Sequence, residues 1–252
     1  MTLRTQTKRT LASPMNGDAD KSQRALKDVL RGQAARSTFP YMVDYRATDK
    51  FIQGHSISIQ VPCDDLRYDD LLIAVHRETA GAGTFTWPTG WTELADSTAD
   101  GSVDSATVGW RRVNFDANEN YRIALSYSAS FDCGASVCWQ FRQAGTPVIS
   151  SVVSANKAAM NPPNLAPGLG SLNFLWIALA TCERNRTSWS YPTNYTLNQG
   201  EFGGGSGLTN LFAHLGWAMR ELNASSEDPG AFSVAEAEDS MSWTIAIPPG
   251  GP

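Results

Sequence analysis

Long apolar runs are missing from this chain. No stretch of 18 or more hydrophobic residues occurs in its 252 positions, so no transmembrane helix is expected. Charge is sparse too: Asp, Glu, Lys and Arg make up 18%, below the usual quarter. Histidine (3) and cysteine (4) are few. Cys63, Cys133, Cys138 and Cys182 match no zinc-site spacing with His55, His76 or His214, so neither a metal nor a cofactor is expected. Free thiols are expected, with a Cys133–Cys138 bridge as the alternative if those two face each other across a turn. There is no Gly-x-Ser-x-Gly elbow. Gly203-Gly204-Gly205-Ser206-Gly207 reads as a flexible loop and lacks the lysine of a phosphate-binding loop. The first nine residues contain no apolar segment, so no secretory signal is expected, and the sequons at Asn185, Asn194 and Asn223 are read as fortuitous.

What is present points to β structure. The chain is 42% hydrophobic, with 21 Gly and 13 Pro to supply turns. It also says much the same thing twice. Pro88-Thr89-Gly90-Trp91-Thr92 returns as Pro192-Thr193-Asn194-Tyr195-Thr196, a shift of 104 positions. At that shift Leu71, Ile73 and Ala74 return as Leu175, Ile177 and Ala178, and Ser136-Val137-Cys138-Trp139 as Ser240-Met241-Ser242-Trp243. Val108-Gly109-Trp110 matches Leu215-Gly216-Trp217 at 107. Two β units that share a core are the expected cause, because one unit alone cannot bury its apolar face.

Strands are expected at His55–Val61, Leu71–Val75, Thr84–Trp87, Ser105–Val113, Tyr121–Ser128 and Gly134–Phe141, then at Asn173–Thr181, Asn210–Arg220, Ala231–Ala235 and Ser240–Ile247. Thr146–Gly170, with its Pro-Pro and Pro-Gly pairs, reads as the link between halves. The expected fold is all-β: an antiparallel β-sandwich, jelly-roll-like, of about ten strands, with pseudo-repeats near 56–145 and 170–248 inside a body of residues 38–252.

Residues 1–37 differ in kind. Residues 1–36 carry eight Lys/Arg against three Asp, a net +5, while the remainder is −10. Asp20 can cap a helix over Lys21–Ala35, whose apolar stripe of Ala25, Leu26, Val29 and Leu30 is too thin to stabilise it alone. Such a segment needs a partner surface. Arg24, Leu26, Lys27, Val29, Leu30 and Arg31 are the candidate partner-binding residues, with a protein partner preferred to nucleic acid because no aromatics interleave with the basic residues.

Other constellations read as structure. Trp139 with Trp243, Trp110 with Trp217, and Trp91 with Tyr195 recur at equivalent places and are expected in the core. Trp87, Trp176 and Trp189 have no tryptophan equivalent at the 104 shift and are the rings left to face a ligand. Asp64, Asp65, Asp69 and Asp70 have no calcium-loop spacing and read as turn formers. Glu236, Glu238 and Asp239 read as a solvated face, and His76 as a sheet residue. No catalytic residue is expected.

The run from Asp70 through Leu71-Leu72-Ile73-Ala74, a Gly-rich turn, Pro88-Thr89-Gly90-Trp91-Thr92 and then Gly109-Trp110-Arg111-Arg112-Val113 resembles the β-sandwich virion proteins of tailed bacteriophages, described as minor tail, head-fibre or appendage proteins. The likeness spans about Ser56 to Pro248, and the second copy departs from it with Asn194-Tyr195 for Gly-Trp. The resemblance implies a non-enzymatic structural component of a virion, assembled in the host cytoplasm, embedded through its basic N-terminal arm among other virion proteins. It also implies a homo-oligomer, with a trimer as the guess. The alternatives are a carbohydrate- or receptor-binding module taking a host-surface glycan, and then a glycan-cleaving enzyme.

Overall fold

Leu71-Leu72-Ile73-Ala74-Val75 is apolar without alternation, a pattern that suits a strand covered on both faces. A computed structural model describes residues 38–251, apart from 51–53, 80–82, 99–104, 116–121, 132, 151–152, 184–188 and 206–211. Residues 1–37, with the expected helix and every candidate partner-binding residue, lie outside the described residues.

The described residues are all-β, with antiparallel pairing and no helix. The strands are β1 (Tyr41–Lys50), β2 (Gly54–Gln60), β3 (Leu71–Thr79), β4 (Phe85–Thr86), β5 (Thr92–Thr98), β6 (Ser105–Arg112), β7 (Arg122–Phe131), β8 (Cys133–Arg142), β9 (Val148–Ile149), β10 (Val153–Met160), β11 (Leu172–Cys182), β12 (Leu197–Gly205), β13 (Phe212–Ala224) and β14 (Phe232–Ile247). One sheet runs β1-β8-β3-β6-β5. A second runs β10-β14-β11-β13-β12, with β9 added beside β14, and a third is β2-β7-β4.

The first two orders coincide when β1, β3, β5, β6 and β8 are matched with β10, β11, β12, β13 and β14. The rungs agree as well. Ile73 lies between Trp110 and Trp139, and Leu179 between Trp217 and Trp243. The 104 shift sets Ile73 against Ile177, whereas the rungs set it against Leu179, two residues on. A two-residue offset leaves every side chain on the same face, so the apolar pattern alone does not reveal it.

Alternation divides the burial. Leu71, Ile73 and Val75 of β3 share one cluster with Trp139, Leu175, Ile177, Leu179, Trp217 and Trp243, drawn from both large sheets. Leu72 and Ala74 point the other way and join Cys138, Ile57, Ile59, Phe85 and Leu125, which brings the third sheet over the back of the first. Behind the second sheet, Phe174, Trp176 and Ala178 are covered by Met160, Leu165, Tyr195 and Phe232.

Several boundaries differ from the sequence reading. The stretches expected at Ala231–Ala235 and Ser240–Ile247 merge, from Phe232 on, into one strand, β14, which pairs with β10 on both sides of a register shift. In the first half the β1–β8 ladder ends at Lys50–Gly134 and the β2–β7 ladder opens at Gly54–Phe131. The expected link Thr146–Gly170 contains β9 and β10, and Gly203-Gly204-Gly205 closes β12.

The repeated Pro-Thr-x-aromatic block is a turn. Trp91 N donates to Pro88 O (3.1 Å) with Gly90 at φ 88, and Tyr195 N donates to Pro192 O (3.2 Å) with Asn194 at φ 71. The third position needs a left-handed residue, hence Gly in one copy and Asn in the other. Each turn also serves an indole lid. A Cβ at Gly109 would lie 2.6 Å from the Trp87 ring, and one at Gly216 2.5 Å from the Trp189 ring. Gly109→Ala and Gly216→Ala are each expected to cost about 1–3 kcal/mol through overpacking, read as a lowered urea midpoint. Unchanged midpoints would contradict this packing.

Candidate functional site

The described chain starts at a definite place. Asn173 Nδ2 donates to Thr38 Oγ1 (2.6 Å), and Asn223 Nδ2 donates to Asn173 Oδ1 (2.7 Å). Residues 1–37 therefore leave where β11 begins and β13 ends. By antiparallel pairing this is also where β1 and β3 begin and where β6, β8 and β14 end.

Residues 64–70 are locked at this end. Asp70 is buried, and its carboxylate accepts from Arg142 Nε (2.9 Å), Gln140 Nε2 and the Arg67 amide (2.8 Å). Arg142 also pairs with Asp65 (3.1 Å) and donates to the Asp65 carbonyl. Asp64 pairs with Arg46 at 2.8 Å, and Asp69 lies 3.8 Å from Arg112. The four carboxylates thus face arginines, as turn residues held by charge pairing.

Burial pushes the Asp65 carboxyl up, and the Arg142 and Arg67 guanidiniums outweigh it, leaving the pKa below its ordinary value. A depressed folded-state pKa contributes stability above the unfolded value, about 3.9, and that stability is lost as pH falls through the folded value. Asp65→Asn is therefore expected to lower the urea midpoint at pH 7, with the deficit shrinking below about pH 4. A deficit that stays constant down to pH 2.5 would contradict the pairing.

Most of the tryptophans are core. Trp139 and Trp243 are fully buried and Trp217 nearly so, while Trp110 is half-buried. Trp176 is also fully buried, which removes it from the rings able to face a ligand. Trp87 and Trp189 are half-buried over Gly109 and Gly216, so two rings without a tryptophan equivalent at the 104 shift occupy matching places. Trp87 Nε1 donates to Thr107 Oγ1 (3.0 Å), and Trp189 packs on His214 at 5.2 Å between centroids. Trp91 stacks on Trp87 (5.3 Å, 23°) and is half-buried, whereas Tyr195 at the matching turn is fully buried.

The polar residues with reactive side chains sit inside the sheets. His76 Nδ1 and Ser136 Oγ are 2.8 Å apart, both buried, on adjacent strands. Burial, and next the Glu78 carboxylate bonded to it, push the Tyr127 phenol well above its ordinary value, and Tyr127 donates to Ser105 Oγ at 3.1 Å. Arg77 is fully buried and donates to Thr181 Oγ1 (2.9 Å) of the second sheet, with the Asp239 carbonyl at 3.4 Å. Glu236 and Glu238 have side chains outside the described residues.

None of Cys63, Cys133, Cys138 and Cys182 forms a disulfide. Cys133 and Cys138 lie five apart on β8, hence on opposite faces and about 17 Å apart, which excludes the bridge considered above. Burial pushes the Cys138 thiol up, the direction opposite to that of a reactive thiolate.

Sequence reasoning missed three residues at the end where residues 1–37 leave. Tyr68, Phe115 and Leu169 are the exposed large hydrophobic side chains of the described residues. Asp69-Asp70 and Pro167-Gly168 mark turns beside two of them, but nothing in the pattern says that a turn residue faces water. Comparison with family models, with curated proteins and with solved structures finds no match.

Proposed function

We propose that the chain is a non-enzymatic structural component of a tailed-bacteriophage virion, held to its neighbours by residues 1–37. The body is read as a jelly-roll-like β-sandwich built from two pseudo-repeats. That reading draws support from the shared strand order of the two large sheets, from the Trp–aliphatic–Trp rung in each, and from the left-handed turn at Gly90 and at Asn194. The observation that carries the function is the pairing of a +5 segment with an antiparallel body whose Ser–His pair is enclosed in a core. A segment of net positive charge suits attachment, since its Lys and Arg side chains can pair with an acidic partner surface. Other virion proteins and further copies of the chain are the partners in this reading.

Deleting residues 1–37 is expected to abolish incorporation into particles while leaving a soluble body with unchanged far-UV circular dichroism. An arm-less chain that is incorporated at the normal level would overturn anchoring. One observation favours a second reading, a glycan- or receptor-binding module: the Trp87–Trp91 stack is only half-buried. Binding of the full chain to host surface glycan, lost in Trp91→Ala, would promote it.

A further inference from the structure

Hydrophobic side chains that stand out in water are an unusual expense for a body that buries the rest so fully. Tyr68 is 74% exposed, Phe115 55% and Leu169 50%. All three lie at the end from which residues 1–37 leave. Tyr68 precedes Leu71, the first residue of β3, by three positions, and Leu169 precedes Leu172, the first residue of β11, by three. Phe115 follows Arg112, the last residue of β6, by three. The Tyr68 and Phe115 loops are joined, because Asp69 N donates to Val113 O (2.8 Å) and Val113 N to Asp70 O (2.9 Å).

The backbone that displays them is left-handed in every case. Asp69 has φ 67, Phe115 φ 49, and Leu169 sits between Gly168 (φ 76) and Gly170 (φ 73). A phenylalanine with positive φ is strained, and strain of this kind gathers where a surface has a task. Arg67 flanks Tyr68 with 63% of its side chain exposed, and Arg112 is near. Aromatic and arginine side chains together are the residues that dominate protein contacts.

We propose that this end of the body is a docking face for a folded protein whose surface offers apolar pockets rimmed by carboxylates, and that the same protein receives residues 1–37. The inference rests on the virion reading, which makes that protein a neighbour in the particle. The occupant follows from where the chain leaves. Residues 1–37, with net charge +5 over the first 36 positions, join the body at Thr38 beside this face, so an acidic partner that holds the segment lies within reach of it. A second copy docked face to face would instead bring two such segments together, like charge against like.

The test uses the full-length chain with Tyr68→Ser, Phe115→Gly and Leu169→Ser combined, and particles assembled without the chain as the probe. The expected result is co-sedimentation with particles reduced at least about tenfold against the parent chain, with the melting temperature of the free protein equal or higher because Phe115→Gly relieves strain, and with its mass in solution unchanged. Binding within about twofold of the parent overturns the docking face. So does a fall in solution mass, which would assign the face to contacts between copies. If the parent chain itself fails to co-sediment, the virion reading fails and the docking face falls with it.

Discussion

Asp70→Ala is expected to remove about 3–5 kcal/mol of folding stability, because it strands a charge that the fold has already taken out of water. The Arg142 side chain is 12% exposed and the Asp70 side chain 4%, so solvent offers little compensation. Three donors converge on the Asp70 carboxylate, from Arg142, Gln140 and the Arg67 backbone. Alanine leaves all three short of a partner. The substitution also frees the 64–70 turn that carries Tyr68 and is pinned to Val113, so the damage extends to the end of β6. Asp70→Asn keeps the shape and a single acceptor oxygen, and is expected to fall between the parent and Asp70→Ala. Urea unfolding at pH 7 reads the difference. Against a total of about 5–15 kcal/mol for a typical domain, a loss of this size moves the midpoint far. A change below about 1 kcal/mol would mean that Asp70 and Arg142 are solvated after all.

The second large effect concerns Arg77. Its position on β3 shares a face with Val75 and Thr79, so its guanidinium enters the space between the two large sheets and bonds to Thr181 of β11. This is a charged donor on a neutral acceptor, worth about 1.5–3 kcal/mol when buried. Arg77→Ala alone is expected to cost about 3 kcal/mol or more, since it also empties a fully buried site. The sharper measurement is a double-mutant cycle of Arg77→Ala with Thr181→Val. A coupling energy of about 1.5–3 kcal/mol is expected, and a value under about 0.5 kcal/mol would show that the two sheets are not joined there.

In the two large sheets the strands legible in the sequence are the interior ones. β3, β6, β8, β11 and β13 are paired on both sides and covered on both faces, so their residues read as apolar runs such as Leu71–Val75 or Leu175–Ala178. The four strands at the sheet edges, β1, β5, β10 and β12, carried no such signal. Thr92–Thr98 is Thr-Glu-Leu-Ala-Asp-Ser-Thr, and Leu197–Gly205 contains four glycines. An edge strand is held by pairing on one side only and favours charge that blunts association, which is the composition of a loop. The similarity proposed as a repeat stood out in the sequence because a left-handed turn and a tryptophan rung each admit few residue types. Its offset in β11 did not, since a shift of two is silent in a period of two. The docking candidates were hidden for a related reason: exposure depends on what stands opposite a turn, and sequence does not carry that.

The body requires the two large sheets to fold as one unit around the cluster that joins Leu71, Ile73 and Val75 to Leu175, Ile177 and Leu179. Differential scanning calorimetry of the full chain tests this most directly. The expected result is a single transition with a calorimetric-to-van't Hoff enthalpy ratio of about 1. Two resolved transitions, one for each half, would contradict it.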